Sequence, residues 1–314
     1  KRVVVNLADD DSLKKEVKFW QDALNMKTLG TFVGADGLKS TVVGFGAESS
    51  NSGGTFGIEL KVNPEMKDRP SPRQLSQDLQ PTVDALTFIQ VGFSDKVKNV
   101  FSRTMKSGGV AIFGDSTYLD MESPRGVPVR FINRGNEQQA IEMLCLNIEV
   151  PAFEAVTKMY KRGLGLSEEE INDDDPPVQK RSVLLRGQGG PSLLLSPVPD
   201  GRLKDRQLDF FENLVAVSSD VEATSKVAEQ QVVQTQKDRE EYEAKFEAKY
   251  QTLQGEAKER YAASIEKYRK GTIAKPEARF NEGGVQINDG VGNWVYVSSA
   301  SAFDKVLAGA LTAA

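Results

Sequence analysis

The chain has 314 residues and a formal net charge of −5, with 27% charged and 39% hydrophobic residues, which is the balance of a folded globular protein. The acidic balance argues against a nucleic-acid partner, because phosphate contacts require a basic surface. No apolar run reaches the roughly 20 residues that a membrane-spanning helix needs, so no transmembrane segment is expected.

The chain contains no histidine and a single cysteine, Cys145. The absence of histidine excludes a Ser-His-Asp triad, a Cys-His pair and any zinc site that contains histidine. One cysteine cannot form an internal disulfide, which favours a reducing compartment. The chemistry left open is binding of a metal by carboxylates, carboxylate acid/base catalysis, a Lys or Tyr base, or no catalysis at all.

The first 62 residues predict a strand, a helix and then three strands. RVVVNL predicts the first strand, and an amphipathic helix follows with Leu13, Val17 and Trp20 on one face. Asp11 or Ser12 is expected to cap that helix. Strands are then expected at TLGTFVG, STVVGFG and TFGIELKV.

The same order of elements is predicted three more times. The second unit begins at LTFIQVGF, the third at EMLCLNIEV and the fourth at NLVAVSSD, each with a helix and then two or three strands. A single unit exposes one apolar face of its sheet and needs another sheet to cover it. The sequence therefore predicts an α+β protein with two domains of two units each, residues 1–137 and 138–314.

A charged segment, Gln230 to Lys275, interrupts the fourth unit. It is rich in Glu, Lys, Ala and Gln, and only Gly255 is expected to break it, which predicts a helical hairpin. Two aromatic stripes run along the predicted helices. Their members are Tyr242, Phe246 and Tyr250 on the first helix, and Tyr261, Ile265 and Tyr268 on the second. These side chains either pack the helices together or form a surface for a protein partner or a second copy.

The four units resemble the vicinal oxygen chelate superfamily, and in particular the tandem glyoxalase I type. The stretches that carry the resemblance are KFWQDALNMKTL, VGFGAESS, FGIELKVNP, VGFSDKVKNVFSRTMKSGG, SPRGVPVRFINRG and GNWVYVSSASAFDKVL. The resemblance covers nearly the whole chain apart from the charged segment. It implies two tandem domains of βαβββ units and, in active members, one metal ligand on each of four strands, typically His or Gln, Glu, His and Glu.

The resemblance also locates the residues that replace those ligands here. In the first half the ligand positions fall within Val3 to Val5 and on Glu59, Phe88 and Arg130. In the second half they fall on Cys145, near Leu194 or Leu195, on Asn213 and near Tyr296. These side chains are too poor in donors for a divalent metal, so neither a metal nor another cofactor is expected.

Two interpretations of Glu59 remain open at this stage. In the first, Glu59 and Arg130 form an ion pair inside a former metal pocket, since an unpaired buried charge is costly. In the second, Glu59 is a metal-free general base and Arg130 binds an anionic substrate.

Three hypotheses about function follow. The leading one is a non-catalytic structural or scaffolding protein that forms homo-oligomers or binds protein partners. The others are an enzyme similar to lactoylglutathione lyase and a small-molecule binder that uses the pocket of Glu59, Phe88, Arg130, Cys145 and Asn213. Tandem glyoxalase-like chains are common in plants and algae, so the resemblance suggests a plastid, for instance a pyrenoid shell or a photosynthetic assembly, and otherwise the cytoplasm. The chain begins at Lys1 without Met, from which a processed N-terminus is expected.

Overall fold

The structure is a computed structural model that describes most of the chain. The described residues are 2–34, 36–46, 56–66, 83–135, 139–171, 176, 178–199, 203, 211–271, 278–281, 284–289 and 293–299, with the backbone alone described for 267–271 and 278–281. Two eight-stranded sheets and five helices make up these residues. No helix among them is long and apolar enough to span a bilayer.

The first sheet joins the first unit to the fourth. Its strand order is β14-β15-β16-β13-β1-β4-β3-β2. The strands of the first unit are β1 (Arg2–Leu7), β2 (Lys27–Val33), β3 (Lys39–Gly44) and β4 (Gly57–Val62). Those of the fourth unit are β13 (Phe211–Ser218), β14 (Ala278–Asn281), β15 (Gly284–Asn288) and β16 (Trp294–Ser299).

The second sheet joins the second unit to the third. Its order is β10-β11-β12-β9-β5-β8-β7-β6. The strands of the second unit are β5 (Leu86–Phe93), β6 (Val110–Gly114), β7 (Tyr118–Glu122) and β8 (Pro128–Asn133). Those of the third unit are β9 (Ala140–Glu149), β10 (Ser167–Glu169), β11 (Val183–Arg186) and β12 (Ser192–Val198).

In every unit the first strand pairs in parallel with the last, and two first strands pair antiparallel at the centre of each sheet. This arrangement confirms the predicted α+β class and the four repeated units. Each sheet takes one unit from residues 1–137 and one from residues 138–314, so the two sheets do not correspond to the two predicted domains. The division into these two ranges stays a prediction.

The helices are α1 (Asp10–Asp22), α2 (Val97–Lys106), α3 (Val150–Lys158), α4 (Val221–Thr252) and α5 (Gly255–Gly271), and a π-helical turn at Met159–Gly163 continues α3. Helix α1 is capped by Asp9, whose carboxylate accepts a hydrogen bond from the Ser12 amide at 2.7 Å. The prediction of Asp11 or Ser12 as the cap was therefore wrong. Three acidic residues in succession make the starting position of a helix ambiguous in the sequence.

One hydrophobic core runs through all four units. It includes Val3 and Phe19 from the first unit, Phe93 from the second, Leu146 from the third and Ile287 from the fourth, each fully or almost fully buried. Because both sheets contribute to the same core, the four units are held together by apolar burial as well as by strand pairing.

The helical segment of the fourth unit begins earlier than expected. The helix of the fourth unit and the first helix of the predicted hairpin form one continuous helix, α4, which starts at Val221 rather than Gln230. The break falls at Leu253 and Gln254, and Gly255 starts α5 with a φ of 56°. Gly255 is the breaker that was expected, since this left-handed conformation favours glycine.

Candidate functional site

Strand pairing identifies the residues that stand side by side at the centre of the first sheet. Val4 on β1 lies opposite Glu59 on β4 and opposite Asn213 on β13, and Asn213 lies opposite Trp294 on β16. The row therefore takes two strands from the first unit and two from the fourth. Trp294, rather than the expected Tyr296, stands in line with Asn213.

The second sheet brings the other predicted pocket residues together. Phe88 on β5 lies opposite Cys145 on β9, and Cys145 lies opposite Leu194 on β12. The guanidinium carbon of Arg130 on β8 lies 4.3 Å from the centre of the Phe88 ring. Phe88, Arg130 and Cys145 line a cavity of about 340 Å³. The predicted five-residue pocket is therefore divided, with Glu59 and Asn213 in one sheet and Phe88, Arg130 and Cys145 in the other.

The predicted ion pair between Glu59 and Arg130 is wrong, because each has a different partner. Arg2 Nη1 donates to Glu59 Oε2 at 3.2 Å, and both side chains are almost completely buried. Arg130 makes two parallel bonds to Asp120, from Nε to Oδ1 at 2.7 Å and from Nη2 to Oδ2 at 2.9 Å. Neighbouring strands explain both pairs: β1 pairs with β4, and Asp120 lies directly opposite Arg130 across β7 and β8.

A second ionic group lies near Glu59 in the first sheet. Lys61 on β4 bonds to Asp36 at 2.6 Å and to Glu212 at 2.9 Å. Burial opposes the charge on Lys61, but the two carboxylates outweigh burial and raise the pKa of the ammonium. Asn213 Oδ1 is buried and has no hydrogen-bond partner among the described residues. The carboxylates in this region are thus bound to cations that the chain itself supplies.

The cavity in the second sheet combines aromatic rings, a neutralised arginine and a protonated thiol. Arg130 lies between the rings of Phe88 and Tyr118, at 4.3 and 5.4 Å from their centres. Burial raises the pKa of Cys145 to about 12. A thiol with so high a pKa remains protonated near neutral pH and is not a nucleophile there.

The residues at the expected ligand positions do not fit a divalent metal in either sheet. The row in the first sheet offers one carboxylate, which already binds Arg2, and one amide oxygen. In the second sheet Asp120, which lines the cavity, is bound on both oxygens by Arg130, whose fixed charge would repel a cation. No group of three or more Cys, Asp or Glu residues suited to a metal occurs among the described residues.

A third buried carboxylate, which the sequence did not single out, joins the first unit to the second. Glu16 on α1 is completely buried and accepts hydrogen bonds from Ser123 Oγ at 2.7 Å, the Arg125 amide at 2.8 Å and Trp20 Nε1 at 3.1 Å. Burial raises the pKa of Glu16 to about 7, although the three hydrogen bonds oppose that rise.

The aromatic stripes of the hairpin largely pack against each other. The Phe246 ring lies 5.7 Å from Tyr242 and 6.2 Å from Tyr261 on the facing helix. Ile265 is buried, whereas Tyr242 is 56% exposed. Tyr250 lies under the ammonium of Lys258 at 4.4 Å. The side chain of Tyr268 lies outside the described residues, so its predicted role in partner binding stays a prediction.

Residues missed by sequence reasoning are Arg2, Asp120 and Glu16. Arg2 and Asp120 are charged residues within predicted strands, and a charge in such a position is the signal of a buried pair. Their partners could not be assigned without knowing which strands are neighbours. Glu16 follows the helical spacing of Leu13 and Trp20 on the buried face of α1, which was the available signal.

Comparisons with known proteins support the fold. No family model matches the chain, and no curated protein matches it. Among solved structures, glyoxalase I from Zea mays is similar with a TM-score of 0.61 and 14% identity, over 98% of this chain and 94% of the maize chain. A putative dioxygenase from Bacillus subtilis is similar with a TM-score of 0.52 and 13% identity, over 95% of this chain and 84% of that one. The chain therefore has the vicinal oxygen chelate fold in tandem, as its resemblance to that superfamily predicted, and at this identity the similarity is evidence for the fold alone.

Proposed function

We propose that this chain is a non-catalytic protein of glyoxalase fold that works by associating with itself or with other proteins. The observation that carries the proposal is that an Arg–carboxylate pair stands at the expected ligand position of each sheet: Arg2 with Glu59, and Arg130 with Asp120.

An arginine at this position works against metal catalysis in two ways. Its charge is fixed, because the guanidinium stays protonated at every physiological pH. It also occupies the carboxylate that would otherwise bind the metal or move the substrate proton. Glu59 as a metal-free base would have to leave Arg2, which is itself 3% exposed, and that would strand a buried charge. Both pairs thus favour a structural use of the fold.

Features of the surface support association as the role. Large apolar side chains are exposed at one edge of the second sheet, at Ile112 and Phe113 on β6, and on helix α2, at Phe101 and Met105. Tyr242 is exposed on the helical hairpin. Apolar groups gathered in one region of a surface are typical of protein interfaces. The plastid setting that the resemblance suggested remains part of this proposal.

The test is metal analysis combined with an activity assay. Protein dialysed against Zn²⁺, Ni²⁺ or Mg²⁺ and then desalted should hold far less than one metal per chain by mass spectrometry. It should also show no isomerisation of the hemithioacetal of glutathione and methylglyoxal above the rate without protein. One tightly held metal per chain, or turnover that a chelator abolishes, would overturn the non-catalytic assignment.

The cavity of about 340 Å³ in the second sheet favours a second candidate, a small-molecule binder. Because Asp120 already neutralises Arg130, the cavity suits an uncharged ligand that stacks on aromatic rings rather than the anionic one expected from the sequence. Native mass spectrometry of the purified protein tests this candidate. A bound molecule that is lost on substitution of Phe88→Ala would support it, whereas ligand-free protein in both variants would count against it.

A further inference from the structure

A cavity of about 330 Å³ lies between the third and fourth units. Its apolar lining includes Leu144 and Leu185 from the third unit and Leu214, Val295 and Val297 from the fourth. Each of these side chains is at least nine-tenths buried, so the cavity reaches into the core of the protein. It shares none of its described lining residues with the cavity of about 340 Å³ in the second sheet.

The central strands of the two sheets pair in the same way, so the two halves of the chain can be compared residue by residue. The corresponding rows are Glu59, Val4 and Asn213 in the first sheet and Leu194, Cys145 and Phe88 in the second. The first unit therefore corresponds to the third, and the second unit corresponds to the fourth. The contact between the first and second units thus has its counterpart between the third and fourth units, where the cavity lies.

Three phenylalanine rings pack together between the first and second units. The Phe93 ring centre lies 5.9 Å from that of Phe45 and 4.6 Å from that of Phe131. Phe93 and Phe131 are completely buried, and Phe45 packs against the same core. Rings at these distances attract one another beyond the burial of their area. The first half of the chain thus joins its two units through an aromatic cluster.

The corresponding positions of the second half carry no aromatic ring. The register of β11 with β12 matches that of β3 with β4, and the register of β13 with β16 matches that of β5 with β8. The corresponding residues are Gly187 for Phe45, Ser218 for Phe93 and Val297 for Phe131. All three line the cavity. Because a hydrogen atom, a hydroxymethyl group and an isopropyl group are smaller than three phenyl rings, these substitutions account for the cavity.

We propose that this cavity binds an uncharged aromatic small molecule, whose ring takes the place that phenylalanine rings fill in the first half. The site is additional to the proposed role in association and does not depend on it. Small-molecule sites are largely apolar and have volumes of about 300 to 1,000 Å³. Cavities lined by Leu and similar side chains bind aromatic molecules such as benzene. Arg2, the one charged side chain among the described lining residues, is neutralised by Glu59, so the cavity favours an uncharged ligand.

Two hydroxyl groups of the lining add a polar contact for the ligand. Ser218 Oγ and Thr224 Oγ1 lie 2.8 Å apart. The Asp220 amide donates to Ser218 Oγ, and Thr224 Oγ1 donates to the Asp220 carbonyl. Since a hydroxyl oxygen has two lone pairs, this network leaves an acceptor position for a hydroxyl group on the ligand. The cavity should therefore bind phenol more tightly than benzene.

Nuclear magnetic resonance of methyl groups tests the site in the parent protein. Titration with benzene or with phenol should shift the methyl signals of Leu185, Val295 and Val297 until they saturate. The methyl signals of Val178, which lines the cavity of about 340 Å³, should stay unchanged. No saturable shift, or shifts at Val178 alone, would overturn the site. Binding of phenol no tighter than that of benzene would overturn the polar contact.

Variants at Ser218 test the comparison with the aromatic cluster. Ser218→Phe restores the ring of Phe93, and we expect it to raise the dissociation constant of benzene at least about tenfold. Ser218→Ala is the matched control, because it removes the same hydroxyl without filling the cavity; it should change the constant for benzene less than about twofold. Val297→Phe, at the position of Phe131, is a second filling variant with the same expected loss. Unchanged binding of benzene in a filling variant that circular dichroism shows to be folded would overturn the proposal.

Discussion

The two sheets have replaced the expected ligand positions in different ways. In the first sheet the carboxylate is present as Glu59, and the cation comes from Arg2 on the neighbouring parallel strand. In the second sheet the cation, Arg130, takes the ligand position itself and turns towards Asp120 on the strand nearer the edge. The first sheet thus buries its pair at the centre, while the second leaves a cavity between Arg130, Phe88 and Cys145. The same fold therefore accommodates two different arrangements of an arginine and a carboxylate.

The two Arg–carboxylate pairs differ in burial, and breaking them should therefore lower the free energy of unfolding by different amounts. We expect the larger loss for the pair in the first sheet. Replacing Glu59→Leu leaves the charge of Arg2, at 3% exposure, without its carboxylate. We expect the free energy of unfolding to fall by about 3 to 5 kcal/mol, measured by urea denaturation.

The double variant Arg2→Met with Glu59→Leu is the control for this prediction. It removes both charges and should regain most of the lost stability, since apolar side chains can replace a buried pair at little cost. A Glu59→Leu variant as stable as the parent protein would show that this carboxylate does not stabilise Arg2.

The next largest effect concerns Glu16. This residue connects the first unit, which lies in the first sheet, to the second unit, which lies in the second sheet. Its pKa is raised from 4.5 to about 7, so the folded protein holds this proton more tightly than the unfolded chain does. The contribution of Glu16 to stability is therefore full below about pH 4.5 and is lost as the pH rises towards 7. The total loss is about 3 kcal/mol, because each tenfold difference in proton affinity between the folded and unfolded states is worth about 1.4 kcal/mol.

Substitution of Glu16→Gln removes this titration, while the side-chain oxygen that accepts from Ser123 and the Arg125 amide is retained. The difference in unfolding free energy between parent and variant should change by about 3 kcal/mol between pH 4.5 and pH 8, in the direction that favours the parent at low pH. Denaturation curves at several pH values measure this difference. If the two proteins lose stability in parallel across that range, Glu16 does not hold the proton.

A smaller effect is expected for the pair in the second sheet. The Asp120 side chain is 26% exposed, so solvent can partly stabilise Arg130 when the carboxylate is removed. We expect Asp120→Asn to cost about 1 to 2 kcal/mol, clearly less than Glu59→Leu. The same denaturation experiment measures both variants, and Arg130→Met, alone and together with Asp120→Asn, completes the double-mutant cycle. Equal costs in the two sheets would contradict the difference in burial between the pairs.

Local patterns in the sequence predicted the elements but not the neighbours of each strand. The apolar runs in RVVVNL and FGIELKV and the apolar spacing of α1 were sufficient to predict the elements of the repeated unit. Nothing local distinguishes the pairing of the first unit with the fourth from its pairing with the second, because all four first strands are similarly rich in apolar residues.

That ambiguity accounts for the error at the candidate site. Glu59 and Arg130 were placed together because the resemblance assigns both to ligand positions of one site in the first half of the chain. Only the pairing of β1 with β4 and of β7 with β8 assigns Arg2 and Asp120 as the partners. Charged residues in buried strands do indicate ion pairs, but the identity of a partner depends on contacts between distant parts of the chain. The register of strands would have been needed to assign it.

The last prediction concerns the hairpin, which extends the fourth unit, whereas the other three units have short helices. Phe246 contacts Tyr242 on its own helix and Tyr261 on α5. In Phe246→Ala we expect amide hydrogen exchange in α5 to rise at least about tenfold, while global stability changes by less than about 1 kcal/mol, because the sheets do not depend on this contact. Tyr242→Ala is the matched control, and since that side chain is 56% exposed, exchange in α5 should hardly change. If Phe246→Ala instead lowered the free energy of unfolding as much as Glu59→Leu does, the hairpin would unfold together with the two sheets. The sheets alone would then not determine the global stability.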